Sequence, residues 1–185
     1  MVKSDKWLKK MAVEEKMIEP FESSQVRDRK ISYGTSSYGY DMRLSNEFKI
    51  AKRNIDTAVI DPKQFQENLF KNITVKDYYD IYPNSIILGK SVEYFRIPRD
   101  VIAIAFGKST YARCGIFVNI TPFEPEWEGY ITLSIANTAS VPVRLYVNEG
   151  IAQVLFLETS GICEVSYADK KGKYQTQTTV TSAKL

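Results

Sequence analysis

The chain contains no histidine and two cysteines, Cys114 and Cys163, in 185 residues. A zinc-activated water needs His/Cys/Cys or three cysteines around the metal, and this chain has no His, no C-x-x-C and no third Cys. Zinc chemistry is excluded on ligand count, and Ser-His-Asp and Cys-His catalysis fall with it. Two isolated cysteines with no signal peptide point to reduced, partly buried thiols rather than a disulfide framework. No apolar run approaches the ~20 residues that span a bilayer, and the N-terminal stretch MVKSDKWLKKMAVEEKM has no continuous apolar core of a secretory signal. A cytoplasmic protein without a membrane partner is expected. The formal net charge is only +3, with no dense Lys/Arg run, so bulk nucleic-acid binding is not expected.

What is present is an ordinary globular composition, 44% hydrophobic and 25% charged. The length predicts a single domain over residues 1–185. Residues 4–17 predict a helix, with Ser4 placed to cap it and Trp7, Leu8, Met11 and Ala12 on one face. From Ile31 onward that period disappears. Short β-branched and aromatic runs follow, separated by turn residues: Asp41–Leu44, Glu47–Ile50, Ile86–Lys90, Val92–Arg96, Val101–Phe106, Phe117–Thr121, Gly129–Ala136, Val141–Tyr146 and Val154–Glu158. Many short strands at this spacing predict an all-β barrel or jelly-roll. Residues 108–114 predict a helical turn between strands. The polar, basic end from about residue 168 to 185 reads either as a frayed tail or as a lid that orders over a polyanionic ligand.

Two segments carry chemistry. In Gly107-Lys108-Ser109-Thr110-Tyr111-Ala112-Arg113, glycine admits close backbone approach, Lys108 and Arg113 bring charge, and Ser109 and Thr110 bring hydroxyls. The GKST echoes a P-loop but lacks its upstream glycine, Ile102 standing there. A phosphate site and a polar turn with a surface arginine both remain open. In Thr121-Pro122-Phe123-Glu124-Pro125-Glu126-Trp127-Glu128-Gly129, Glu126 and Glu128 read as a solvated acidic turn. Glu124, between Phe123 and Pro125, is expected to be the partly desolvated, functional carboxylate.

The run Phe106–Gly129, FGKSTYARCGIFVNITPFEPEWEG, resembles the nucleotide-binding core of the dCTP deaminases, a branch of the trimeric dUTPase-like fold. Further matches are Ser32-Tyr33-Gly34 with Ser36–Asp41, Asp61-Pro62-Lys63, Val92–Phe95 with Ile97-Pro98, Asn148–Gln153, Ser166–Asp169 and Gly172–Gln175, so the resemblance runs from about Asp5 to Gln177. It implies a distorted β-barrel of the dUTPase-like type with an N-terminal helix and a C-terminal lid. It implies a homotrimer with sites between subunits, nucleotide partners (dCTP, dUTP, dTTP), and Mg²⁺ arriving with the triphosphate. It assigns the triphosphate to Lys108, Ser109, Thr110, Tyr111, Ala112 and Arg113, with Ser109 and Arg113 also supporting the chemistry. The pyrimidine and deoxyribose fall to Thr132, Leu133 and Ser134. Gln153, Tyr167 and Gln177 match further nucleotide contacts, Lys173 a phosphate contact on the closing tail, and Glu124 a carboxylate near the sugar.

The departures are specific. The family's T-[LIV]-E-[IF]-x-N-T pattern reads Thr132-Leu133-Ser134-Ile135-Ala136-Asn137-Thr138 here, with Ser134 at the catalytic glutamate position. That glutamate takes a proton from water and delivers it to the leaving amino group, which an unactivated hydroxyl cannot do; such a loss typically costs roughly 10²–10⁴ in rate. Thr179 replaces a tail glycine, and Thr181-Ser182-Ala183 replaces the usual T-L-P. Three readings follow: a dCTP deaminase impaired at Ser134, a dUTPase-like pyrophosphatase using Glu124, and a catalytically silent nucleotide-binding paralogue.

Overall fold

A computed structural model describes residues 1–52 and 59–184. Leu185, the end of the expected lid, lies outside the described residues, as do residues 53–58. The chain opens with helix α1 (Asp5–Glu14), shorter at both ends than expected. Leu8 and Ala12 are its buried face, and Trp7 packs its ring 6.2 Å from that of Phe156. Ser4 occupies the N-cap position without a side-chain cap bond; its carbonyl instead accepts the Leu8 N–H at 3.0 Å. Exposed Asp5–Lys9 and Lys10–Glu14 pairs decorate the outer face and add only a few tenths of a kcal/mol each.

The rest is β-structure. In chain order the strands are β1 (Ile18–Glu19), β2 (Gln25–Val26), β3 (Tyr33–Ser36), β4 (Gly39–Ala51), β5 (Phe70–Thr74), β6 (Tyr78–Ile81), β7 (Ser85–Arg96), β8 (Val101–Gly107), β9 (Ile116–Asn119), β10 (Glu128–Asn137), β11 (Val143–Tyr146) and β12 (Gly150–Glu158). A single helical turn, α2 (Ser109–Ala112), separates β8 from β9 as the 108–114 segment predicts. Ten strands form one curled, half-barrel sheet with the path β2-β3-β4-β7-β10-β9; β12 joins β4 to β8, β1 pairs with β7 and β5 with β4. β6 and β11 make a separate ribbon.

Two pairs of expected strands are each one long strand. β4 absorbs Asp41–Leu44 and Glu47–Ile50 and bends at an irregularity between Leu44 and Phe48, which lets its first half pair with β12 and its second with β5. A bulge of this kind kinks a strand without ending it. β7 likewise runs through Gly89, where an added side-chain carbon would lie 2.9 Å from Leu44 Cδ1. Tyr40, Met42, Leu44, Phe48, Phe95, Leu133 and Phe156 fill the interior, each at most 1% exposed.

One carboxylate is enclosed with them. Glu93 on β7 is fully buried, receives the Arg43 Nε–H at 2.7 Å and the Arg43 backbone N–H at 2.9 Å, and sits 3.4 Å from the Tyr40 hydroxyl. Burial pushes the Glu93 carboxyl above its ordinary pKa, and Arg43 works against that rise. Burial, then the neighbouring Glu93 charge, also raises Tyr40 far above its ordinary value. Removing one member of such a pair leaves the other uncompensated. Glu93→Ala is expected to lower unfolding stability by about 3–5 kcal/mol, read as a drop in the urea midpoint; an unchanged midpoint would mean that Arg43 finds solvent instead.

Candidate functional site

β10 alternates strictly. Gly129, Ile131, Leu133, Ile135 and Asn137 are buried, while Glu128, Tyr130, Thr132, Ser134 and Ala136 are half-buried on the other face. That is the period of a strand with one face on the core. The pairing of β10 with β7 shifts between Tyr130 and Thr132. At the shift the Ile131 N–H donates to the Ser91 hydroxyl at 2.8 Å, and that hydroxyl donates to the Glu93 carbonyl at 2.7 Å. Thr132 and Ser134 are thereby turned into a cavity of about 850 Å³, within the size range of small-molecule sites.

Six of the expected site residues line that cavity: Glu124, Thr132, Ser134, Tyr167, Lys173 and Gln177. Its apolar wall includes Phe123 and Trp127, whose rings stack 5.5 Å apart. Glu124 forms an ion pair with Lys170, a partner that sequence reasoning missed because Lys170 sits in an undistinguished basic run. Glu124 is not set apart by burial, as was expected; its side chain is 42% exposed, close to the 35% of Glu126 and 37% of Glu128. Those two are also paired, with Arg99 and Arg96, so the segment is a salt-bridged rim rather than a solvated turn. Glu124 differs from them in lining the cavity.

The C-terminal segment closes one side. It lies against β10 as an extra parallel bridge, Gly129 to Gln177, with the Tyr130 N–H donating to the Gln177 carbonyl and the Thr176 N–H to the Glu128 carbonyl, both at 2.9 Å. The Trp127 indole donates to the Tyr174 carbonyl at 2.9 Å, and the Tyr174 N–H to the Tyr167 hydroxyl at 3.0 Å. Beyond Gln177, the Thr181 N–H donates to the Thr132 hydroxyl at 3.1 Å, and Ser182 is buried against Lys49 at 2.6 Å. Thr181, Ser182 and Ala183, where the resemblance fails, thus line the cavity themselves, while Thr179 is exposed. The described part of the segment is packed along β10 and the cavity rather than frayed.

The remaining site residues lie elsewhere on the same chain. Among the described residues, none from Lys108 to Arg113 lines this cavity. Lys108 turns inward and pairs with the buried Asp41 at 2.8 Å. Tyr111 is 3% exposed, its hydroxyl accepts the Tyr146 N–H at 2.9 Å, and burial pushes its pKa up to about 12. Ser109 and Arg113 are exposed, the guanidinium donating to the Ser109 carbonyl at 3.1 Å. Gln153 donates to the Ser36 hydroxyl at 3.0 Å, and Leu133 is wholly buried, so its side chain faces away from the cavity. Cys114 is exposed and Cys163 half-buried; both are free thiols, and Cys114 departs from the expected burial because it sits in the turn after α2.

Chemically, the cavity offers hydroxyls, the side-chain amides of Asn119 and Gln177, a lysine and one lysine-paired carboxylate. The chain has no histidine, and among the described residues the carboxylate that lines the cavity with Ser134 is the Lys170-paired Glu124, so no free base stands in the cavity to activate Ser134. Among the described residues no cluster of three His, Cys, Asp or Glu gathers to hold a metal, so this donor set does not fit a resident divalent ion.

Lid seating has local controls. Gly129 has φ +148, and a side-chain carbon there would lie 2.8 Å from the Gln177 nitrogen. Gly129→Ala is expected to weaken seating by about 1–3 kcal/mol, the cost of such backbone strain. Thr176 holds φ +54, which a β-branched residue adopts at a cost, so Thr176→Gly is expected to act in the opposite direction. Hydrogen exchange over residues 173–184 reads both; equal protection in both variants would contradict the geometry. Acid should also unseat the lid base. The Ser166 backbone N–H, then Arg99, hold Asp169 below its ordinary value. Its stabilising contribution is present above the unfolded value near ~3.9 and is lost as pH falls through the lower folded value. Protection of residues 166–174 should therefore fall below about pH 4 and not between pH 5 and 8.

Comparison with known proteins places the chain in a family. A family model described as dCTP deaminase-like matches residues 2–159. The dCTP deaminase of Methylococcus capsulatus is 59% identical over 187 residues, covering 99% of this chain and 98% of that protein. The dCTP deaminase of Acidobacterium capsulatum is 57% identical over 184 residues, covering 100% of this chain and 99% of its own. The crystal structure of 2'-deoxycytidine 5'-triphosphate deaminase from Agrobacterium tumefaciens superimposes with a TM-score of 0.62 at 13% identity, over 84% of this chain and 47% of that one. That likeness carries the fold alone, since the chain spans about half of the solved one. The half-barrel with its N-terminal helix, the matched motifs and the near full-length identity lead to one statement: this chain belongs to the dCTP deaminase-like family.

Proposed function

We propose that the chain binds dCTP and is a dCTP deaminase by lineage, converting dCTP and water to dUTP and ammonia with a turnover limited by Ser134. The observation that carries this reading is the cavity itself: Thr132, Ser134, Glu124, Tyr167, Lys173 and Gln177 converge on one space under a seated lid. In deamination, water adds to C4 of the cytosine, and the amino group leaves once it receives a proton. Position 134 is where the family's carboxylate would carry that proton, and the hydroxyl present there can hydrogen-bond but not shuttle. Mg²⁺ enters, in this reading, on the phosphate oxygens of the nucleotide, and no step depends on a protein metal site. The setting is the cytoplasm.

The homotrimer that the family resemblance implies is compatible with this geometry. One protomer holds the base-side residues at the cavity and Ser109 and Arg113 away from it. A nucleotide that uses both needs two copies, which supports a homotrimer with sites between subunits. Light scattering is expected to return a trimer mass at micromolar concentration; a monomer would contradict this. One observation favours a second reading, a dUTPase-like pyrophosphatase: Glu124 is the carboxylate that lines the cavity. Its ion pair with Lys170 opposes a role as base, since the carboxylate is already engaged by the ammonium.

The decisive variant is Ser134→Glu. Thr132 and Ser134 share the cavity face, so the restored carboxylate points into the same space. Ammonia release from dCTP should rise roughly 10²-fold or more. No pyrophosphate from dUTP is expected. If the variant binds dCTP without releasing more ammonia than the parent, the silent-paralogue reading stands instead; pyrophosphate release abolished by Glu124→Gln would favour the pyrophosphatase.

A further inference from the structure

The phosphate segment lacks the charge its sequence advertises. Of its two cations, Lys108 is spent on Asp41, with the lysine 11% and the aspartate 3% exposed. Arg113 is then the segment's own remaining cation for a triphosphate. Other cations stand beside the segment. The turn from Arg27 to Lys30, closed by the Lys30 N–H and Arg27 carbonyl and with Arg29 at φ +49, places Arg27, Arg29 and Lys30 around a second cavity of about 610 Å³. Thr110 of the phosphate segment lines the same cavity. Among the described residues none of the three cations forms an ion pair; Lys30 lies 5.9 Å over the Tyr33 ring, and Arg27 donates to Gln25. Glu149 is the acid that lines the cavity, and it is engaged by the Ile31 N–H at 2.8 Å.

The turn and the segment are mechanically joined. Arg27 Nε donates to Gln25 Oε1 at 2.8 Å, Gln25 Nε2 donates to Asp41 Oδ2 at 2.8 Å, and Lys108 Nζ meets the same Asp41 oxygen at 2.8 Å. This relay of side chains fixes the cationic turn relative to Thr110, so that the lysine withdrawn from the segment orients the arginine that replaces it. We propose that Arg27, Arg29 and Lys30 form a phosphate-chain subsite that takes the outer phosphates of the nucleotide, next to Ser109, Thr110 and Arg113. The assignment rests on the nucleotide reading above. The subsite would favour triphosphates, since a monophosphate ends before reaching the turn. Arginine suits this task through its planar, multi-donor head.

The test is calorimetry on the full chain with dCTP, dCMP and sodium tripolyphosphate, comparing the parent with an Arg27→Ala, Arg29→Ala, Lys30→Ala triple variant. All three side chains are exposed, so the fold is not at stake. The subsite predicts that the triple variant weakens dCTP and tripolyphosphate about tenfold or more, that dCMP changes less than about threefold, and that tripolyphosphate competes with dCTP in the parent. Equal tripolyphosphate binding by parent and variant, or no binding by the parent, overturns the subsite. Loss of dCMP binding equal to that of dCTP overturns its placement at the outer phosphates. Tripolyphosphate that binds through these cations without competing with dCTP overturns the assignment to the nucleotide. If the parent binds tripolyphosphate through this turn but no dCTP, the cationic subsite stands and the nucleotide reading falls.

Discussion

The register of β10 on β7 is the constraint on which the site depends. Side chains on a strand alternate faces, so a slip of one residue would bury Ser134 and Thr132 and drive Leu133 into the cavity. The register shift between Tyr130 and Thr132 fixes which set faces where, and the Ser91 hydroxyl holds it by accepting the Ile131 N–H. Two residues further along β7 sits Glu93, buried with Arg43 and Tyr40. A polar network at the centre of the sheet thus lies immediately behind the residues that shape the cavity. The buried Glu93 on β7 and the cavity-facing residues of β10 thus lie on adjacent, paired strands.

The lid extends this logic. Its parallel bridge to Gly129 uses backbone donors and acceptors at the edge of β10 that strand pairing leaves free, so the cavity is closed by the same strand that forms its floor. The contacts beyond Gln177 fall on Thr132 and Lys49, which makes the departures at Ser182 and Ala183 part of the cavity wall. Substitution at position 134 and substitution in the lid therefore meet in one space.

Much of this was legible in the sequence, for reasons that differ by element. β10 announced itself through strict alternation from Gly129 to Ala136, and β8 through an unbroken apolar run. β3 was missed because Tyr33-Gly34-Thr35-Ser36 reads as turn chemistry, and β5 because three of its five residues are exposed, which leaves no period. β4 and β7 each looked like two strands because the pattern is interrupted at residues 45–46 and at Ser91, where pairing with the neighbouring strand shifts register without ending the strand. At the site, the family resemblance named Thr132, Ser134, Tyr167, Lys173 and Gln177, and the Phe123–Pro125 setting singled out Glu124; all six line the cavity. Neither could show that Lys108 is withdrawn by Asp41 or that Lys170 occupies Glu124, because both partners are distant in sequence and only the closed sheet brings them together.

The central claim is that one nucleotide spans two copies of this chain. A crystal structure of the protein soaked with dCTP and Mg²⁺ tests it most directly. The account predicts the cytosine against Thr132 and Ser134 of one copy, the lid of a copy closed over it, and the phosphates on Ser109 and Arg113 of a neighbour. A nucleotide held wholly by one protomer, or phosphates that leave the protein without touching the 109–113 segment of any copy, would contradict it.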